Sequence, residues 1–267
     1  MNFIINMGVE RFFSSVYKEF NIIKNIQKPY PKYKCKYLLI DFNSIIHTIT
    51  STIKDKDKKM IFIEIEKYIN NLVSIINCDH LYIAIDGVPS LSKMLEQKKR
   101  RYLGEIINNI IEDKVTESDA HFDKMLISPA TKFMEDLTEY LKEIKIDGIE
   151  ITISDYREEG EGEMKIIRYI KNNNINDAFV YSPDSDMILL LSLLELNRLI
   201  LFRHDQKNSH VDKSGNYEFV YNYLDVNLFK KTLCNYIKSK KIDNFDQQKI
   251  INDIVYIFTL FGNDFLP

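Results

Sequence analysis

The run Arg157-Glu158-Glu159-Gly160-Glu161-Gly162-Glu163-Met164-Lys165 sets four carboxylates within six residues beside two glycines, and no other stretch constrains the chain so tightly. Like charges this close repel, and a carboxylate without a partner resists burial by several kcal/mol. A bound cation would supply the partner. A solvated acidic loop capping the helix that begins near Met164 is the alternative, because acids favour helix starts and charge runs favour surfaces. Residues two apart do not share a helix face. Glu161 and Glu163 can therefore aim at one point only from a turn or a helix's first turn, and Gly160 and Gly162 permit an unusual backbone there.

The rest of the chain favours the cation. Tyr37-Leu38-Leu39-Ile40-Asp41 and His80-Leu81-Tyr82-Ile83-Ala84-Ile85-Asp86-Gly87 are apolar runs closed by aspartate, as buried parallel strands would be. Gly148 to Ser154 reads as a third strand, Ala178 to Ser182 as a fourth, and Arg198–Arg203 and Tyr217–Tyr221 as two more. Helical periodicity lies between them: Gly8 to about Phe20 with Phe12, Phe13, Val16 and Tyr17 on one face, a helix bearing Asn43 to His47, Ile61–Ile76, Leu91 to Glu112, a helix after Pro129, Met164–Asn172, Met187–Leu194, and two terminal helices, the last from Ile250 to Phe261. Alternating strands and helices predict an α/β fold, a mostly parallel central sheet with helices on both faces.

Ligands in such sheets bind outside the carboxyl ends of the strands. Asp41, Asp86, Asp184 and Asp186 would all stand there with Glu161 and Glu163. Any one of them alone reads as a helix cap or a strand end. Together, with no histidine or thiol among them, they form an all-oxygen site suited to Mg²⁺ or Mn²⁺. The chemistry that needs so many acids is two-metal phosphodiester hydrolysis. On the helix from Leu91, Lys93, Gln97, Arg100 and Arg101 fall at i, i+4, i+7 and i+8, one face that could grip a terminal phosphate or simply be solvated. His47 could stack on a base, although a lone histidine is more often structural.

Composition sets the outer bounds. The 267 residues are 45% hydrophobic, enough to fill a sizeable core. No apolar run approaches the roughly 20 residues that span a bilayer, so no membrane partner is expected and the expected compartment is cytosolic or nuclear. Cys35, Cys78 and Cys234 lie too far apart for a zinc motif and read as reduced and structural. A net charge of −3 argues against a uniformly basic nucleic-acid binder but leaves room for a local basic patch.

Several motifs then coincide with one family. Gly8-Val9 with Phe12-Phe13, Asp41-Phe42-Asn43-Ser44-Ile45-Ile46-His47, Ala84-Ile85-Asp86-Gly87-Val88, Lys93-Met94 with Gln97 and Arg100-Arg101, Gly160-Glu161-Gly162-Glu163, Asp184-Ser185-Asp186 and Gly262-Asn263-Asp264-Phe265-Leu266-Pro267 resemble the Xrn-type 5′→3′ exoribonucleases, in that family's order along almost the whole chain. The resemblance implies a nuclease domain over residues 1–267, related to flap endonucleases and PIN domains, that releases mononucleotides from single-stranded RNA bearing a 5′-monophosphate. It implies that Asp41, Asp86, Glu161, Glu163, Asp184, Asp186 and Asp264 are the metal-site acids for two Mg²⁺ or Mn²⁺ ions. It further implies that Lys93, Gln97, Arg100 and Arg101 hold the 5′-phosphate, and that His47 stacks on the terminal base.

There are departures. Ser44 stands where the family usually has glycine, Glu159 where proline is common, and Pro183 and Ser185 alter the usual Asp-Ala-Asp surroundings. The sequence ends at Pro267, where the family continues into a second conserved region, and it has no tryptophan to sandwich the base. A more open site with weaker processivity is expected, with a further polypeptide region or partner completing the channel. Two other readings remain open: a non-catalytic RNA-binding protein that keeps the phosphate pocket, and a structure-specific flap or PIN-type endonuclease. An AT-rich genome, viral or eukaryotic, fits the heavy use of Ile, Lys and Asn.

Overall fold

The computed structural model describes residues 12–26, 30, 32–53, 57–112, 122–205, 207–211, 217–239 and 246–261. Its centre is β2 (Tyr33–Asp41), whose Leu38, Leu39 and Ile40 are all fully buried. Side chains alternate across a strand, so a run apolar at every position must be covered on both faces. Leu38 and Ile40 join one core with α2 (Asn43–Thr52), α3 (Lys58–Ile75) and α5 (Lys132–Glu143). Leu39 joins a second core with α1 (Phe12–Phe20), α6 (Gly162–Asn172), α7 (Asp186–Ser192), α8 (Val226–Lys238) and α9 (Gln247–Phe261).

Seven strands form the sheet. From one edge they are β1 (Ile23–Ile26), β9 (Tyr221–Asp225), β6 (Arg198–His204), β5 (Asp177–Tyr181), β2, β3 (Ile76–Ala84) and β4 (Glu150–Ser154). The five from β6 to β4 run parallel, and β9 and β1 add two antiparallel pairings at the edge. The predicted α/β architecture is the observed one. From β2 the chain builds outward through β3 and β4, then returns to β2's other side with β5 and β6. Strand order therefore reverses between β2 and β5, and a doubly wound sheet opens its ligand crevice at such a point.

Four details differ from the sequence reading. The strand expected from His80 begins at Ile76, because α3 passes into β3 with no loop and pairs at once as Tyr33↔Ile76. Tyr217–Tyr221 is not one strand: Tyr217–Glu218 (β8) pairs with His210–Val211 (β7) in a separate hairpin, and the chain changes partners at Val220 before β9. The edge strand β1 is four residues, Ile-Lys-Asn-Ile, too short and polar at its centre to announce itself. On α1, Phe12 and Val16 are buried as expected, whereas Tyr17 is 44% exposed; Gly8 to Arg11, where that helix was expected to open, lie outside the described residues. The three cysteines are buried free thiols.

Candidate functional site

Each acid is delivered by an element end. Asp41 closes β2 opposite Ala84 of β3, and the next register position on β5 is Ser182. Ser182 donates its hydroxyl to Asp41 Oδ2 at 2.9 Å and accepts the Asp184 amide at 3.2 Å; Asp184 Oδ1 in turn accepts the Asp186 amide at 3.0 Å. Asp86 leaves β3 with its own amide held by Asn43 Oδ1 at 3.1 Å, and its Oδ1 accepts the Gly162 amide at 2.6 Å. Glu161 is the N-cap of α6 and Glu163 stands in its first turn. That turn is the geometry the two-residue spacing demanded. The positive end of the helix faces the acids.

The two glycines of that turn do different work. Gly160 has φ +98°, a backbone that disfavours a side chain, and it exchanges two hydrogen bonds with the loop after β3: Gly87 N to Gly160 O at 2.9 Å and Gly160 N to Val88 O at 3.0 Å. Gly162 is ordinary helix. Its requirement is space, because a Cβ there would stand 2.7 Å from Asp41 Oδ1 and 3.1 Å from Ala84 O. The expectation of an unusual backbone holds for Gly160 and is corrected for Gly162.

The carboxylates act on one another. Burial pushes the Asp41 carboxyl up to about 8, helped by Asp86, Asp184 and Glu161 and opposed by the Ser182 hydrogen bond. Asp86 is pushed up to about 6, first by burial and then by Glu161, with the Gly162 amide, Lys165 and Lys93 opposing. Glu163 is raised well above the usual carboxylate range by burial and by Asp184, Asp41 and Glu161, and its Oε2 is enclosed with no hydrogen-bond partner. A set of mutually repelling, partly protonated carboxyls with an orphaned oxygen has the donor chemistry of a hard divalent cation site. Among the described residues, no three such side chains converge closely enough to hold an ion as they stand. Glu161 is turned instead toward Lys93, whose Nζ is 3.0 Å from Oε1.

The remaining expected residues are placed as follows. Lys93 is buried in the first turn of α4 (Leu91–Glu112), Gln97 is half-buried one turn on, and His47 is exposed on α2. The side chains of Arg100 and Arg101, and all of Asp264, lie outside the described residues.

Lys165 went unassigned by the sequence reading. It is 3% exposed and donates to Ile85 O and Asp155 O, both at 2.7 Å, so it ties α6 to the exits of β3 and β4 next to Asp86. Its signal was a lysine three residues after Gly162, on the face of α6 that the glycine turns toward the acids. Lys165→Met would leave the buried Ile85 carbonyl unpaired, which costs about 1–3 kcal/mol, whereas Asp155 O would keep the Glu158 amide at 3.2 Å. A loss of about 1–3 kcal/mol in urea denaturation is expected, and an unchanged midpoint would show that the clamp carries no stability.

No described helix is long and apolar enough to cross a membrane. Comparison with solved structures finds the catalytic core of Rad2 bound to DNA at 14% identity and TM-score 0.48, covering 97% of this chain and 64% of that one, a likeness too distant to bear on substrate. Among curated proteins, an Acanthamoeba polyphaga mimivirus protein named as a 5′-3′ exonuclease is 33% identical over 193 residues, 65% of this chain and 30% of that protein. Human 5′-3′ exoribonuclease 1 is 27% identical over 298 residues, 98% of this chain and 17% of its own length. The enzyme of that name from Saccharomyces cerevisiae is 26% identical, over 98% of this chain and 19% of its own. The chain thus spans less than a third of the length of these relatives. The family model for the XRN 5′-3′ exonuclease N-terminus matches residues 7–206, a span that contains every candidate site residue except Asp264. The chain belongs to the XRN 5′-3′ exonuclease N-terminal family.

Proposed function

We propose that this chain is a divalent-metal-dependent 5′→3′ exoribonuclease that hydrolyses RNA with a 5′-monophosphate end to mononucleotides. The observation that carries this reading is the gathering of Asp41, Asp86, Glu161, Glu163 and Asp184 at the strand-order reversal, where burial and mutual repulsion push up the carboxyls of Asp41, Asp86 and Glu163. A binding protein gains nothing from such a cluster. The names of the relatives support the direction and the RNA substrate.

The chain's own residues do the holding. Ser182, the Gly162 amide and Asn43 fix the orientation of Asp41 and of the Asp86 loop, so these two acids stand ready when a cation arrives, and Glu161 is the one that must turn toward it. Asp41, Asp86, Glu161, Glu163, Asp184 and Asp186 would hold Mg²⁺ or Mn²⁺, with Asp264 completing the set. When bound, a pair of such ions supplies Lewis acidity at the phosphoryl centre and lowers the pKa of the attacking water. Lys93, Gln97, Arg100 and Arg101 on α4 take the terminal phosphate, and His47 takes the base.

The test is digestion of one RNA sequence carrying 5′-monophosphate, 5′-triphosphate or 5′-hydroxyl ends, and of a circular form, with Mg²⁺ or with EDTA. Mononucleotides released only from the monophosphate form, and only with metal, are expected. Cleavage of the circle would instead establish an endonuclease, and binding without any cleavage would establish the non-catalytic reading.

A further inference from the structure

The ion pair between Lys93 and Glu161 joins two groups that the proposed function assigns to different ligands, one to the terminal phosphate and one to the metal. Their Nζ and Oε1 are 3.0 Å apart, and the side chains are only 7% and 22% exposed. It is no surface pair. The ammonium also holds down the carboxyls of Asp86 and Glu163, so it supplies positive charge to a cluster that would otherwise repel itself.

We propose that Lys93 is a shared counter-ion: it neutralises the acid cluster through Glu161 when no metal is bound, and metal binding hands it over to the 5′-phosphate. The idea rests on the reading of the acids as a metal centre and goes beyond it by coupling the two ligands.

The argument is one of competition. In the proposed function Glu161 is a metal ligand, and its Oε1 already faces the Lys93 ammonium at 3.0 Å. Binding the ion must therefore break or weaken the pair. A lysine whose pair with Glu161 is weakened keeps its charge on a flexible four-carbon stem and can turn to a second anion. The phosphate end of the substrate is that anion. Coupling is reciprocal: metal raises affinity for the phosphate by the factor by which phosphate raises affinity for metal, typically between about 5-fold and 150-fold. The device would keep the phosphate pocket weak until the cluster is loaded.

Calorimetric titration tests the hand-over, with Mn²⁺ as the metal and adenosine 5′-monophosphate as the phosphate probe, since neither requires turnover. Lys93→Met should bind Mn²⁺ about tenfold more tightly than wild type, because the competitor is gone, and its nucleotide affinity should gain far less from the metal. Glu161→Gln breaks the pair from the other side without removing the lysine. In metal-free buffer it should bind the nucleotide several-fold more tightly than wild type. If Lys93 merely stabilised the fold, or merely touched phosphate, Lys93→Met would bind Mn²⁺ no better than wild type and Glu161→Gln would leave metal-free nucleotide binding unchanged. Either result overturns the hand-over while leaving the metal centre standing. Absence of Mn²⁺ binding to wild type would instead overturn the metal centre, and the hand-over with it.

Discussion

Asp41→Asn should abolish RNA hydrolysis and at the same time make the metal-free protein more stable. The carboxyl lies at the strand-order reversal, bonded to Ser182 and pressed by Asp86, Asp184 and Glu161, and an asparagine keeps the shape and can keep the Ser182 hydrogen bond. Losing one such group costs about 10³-fold or more in kcat. The stability effect has the opposite sign because burial and like charge push Asp41 up to about 8 from 3.8. Below about pH 4 the group is protonated folded and unfolded, and contributes nothing. Between pH 4 and 8 the unfolded chain gives up a proton that the folded one keeps, so stability falls by about 1.4 kcal/mol per pH unit. Above pH 8 the loss is complete. Asp86, pushed up to about 6, adds to the lower part of that window. Urea midpoints in EDTA should therefore fall between pH 5 and pH 8 for wild type and fall much less for Asp41→Asn, whose midpoint at pH 8 is the higher. Equal midpoints for the two proteins at pH 8 would mean that the acids do not strain the fold.

Gly87→Ala should be nearly as damaging, although Gly87 carries no chemistry. A Cβ there would lie 1.7 Å from the carbonyl oxygen of Glu158 and 2.8 Å from its carbon, both backbone atoms that cannot swing aside. The loop from Glu158 to Gly160 would have to retreat and the Gly87 N to Gly160 O bond would open. Overpacking of this kind typically costs about 1–3 kcal/mol, and a clash with backbone belongs at the upper end. The retreat moves Glu161 and Gly162, which follow directly, and a displacement near 1 Å can cost about 10²-fold in rate. Gly104→Ala is the matched control. Nothing lies within 4 Å of its Cβ, and it sits inside α4, so the change should stabilise by about 0.5–1 kcal/mol. Denaturation and single-turnover cleavage of the two variants check both statements, and a harmless Gly87→Ala would show that the loops do not clasp.

Much of this site was legible in the sequence because its parts are loud. Apolar runs ending in Asp41 and Asp86 can hardly be anything but buried strands with acids at their exits, and the spacing of Glu161 and Glu163 allowed only a turn or a helix's first turn. The pattern could not show which strands would be neighbours. That Ser182 on β5 meets Asp41 on β2 depends on the return of the chain across β2, a property of the assembled sheet. Close approach was likewise hidden. Gly162 looked like a residue of backbone freedom, yet what it provides is room for two aspartates, a three-dimensional fact with no local signature. Lys93 read as part of a face for phosphate or solvent because its helical spacing with Gln97 is visible in the chain, whereas its contact with Glu161 spans two helices far apart in sequence. The weak edge, β1 and the β8 to β9 hand-over, failed for the opposite reason: short segments whose pairing comes from neighbours leave almost no periodicity of their own.

The central claim is that the acids at the strand-order reversal bind the cation that drives cleavage, and Mn²⁺ titration followed by electron paramagnetic resonance measures it without substrate or turnover. Wild type should sequester up to about two equivalents, and Asp41→Asn should weaken that binding by about tenfold or more, within the 10–100-fold range even an outer-shell change produces. Equal binding by the two proteins, or none by wild type, would contradict the account.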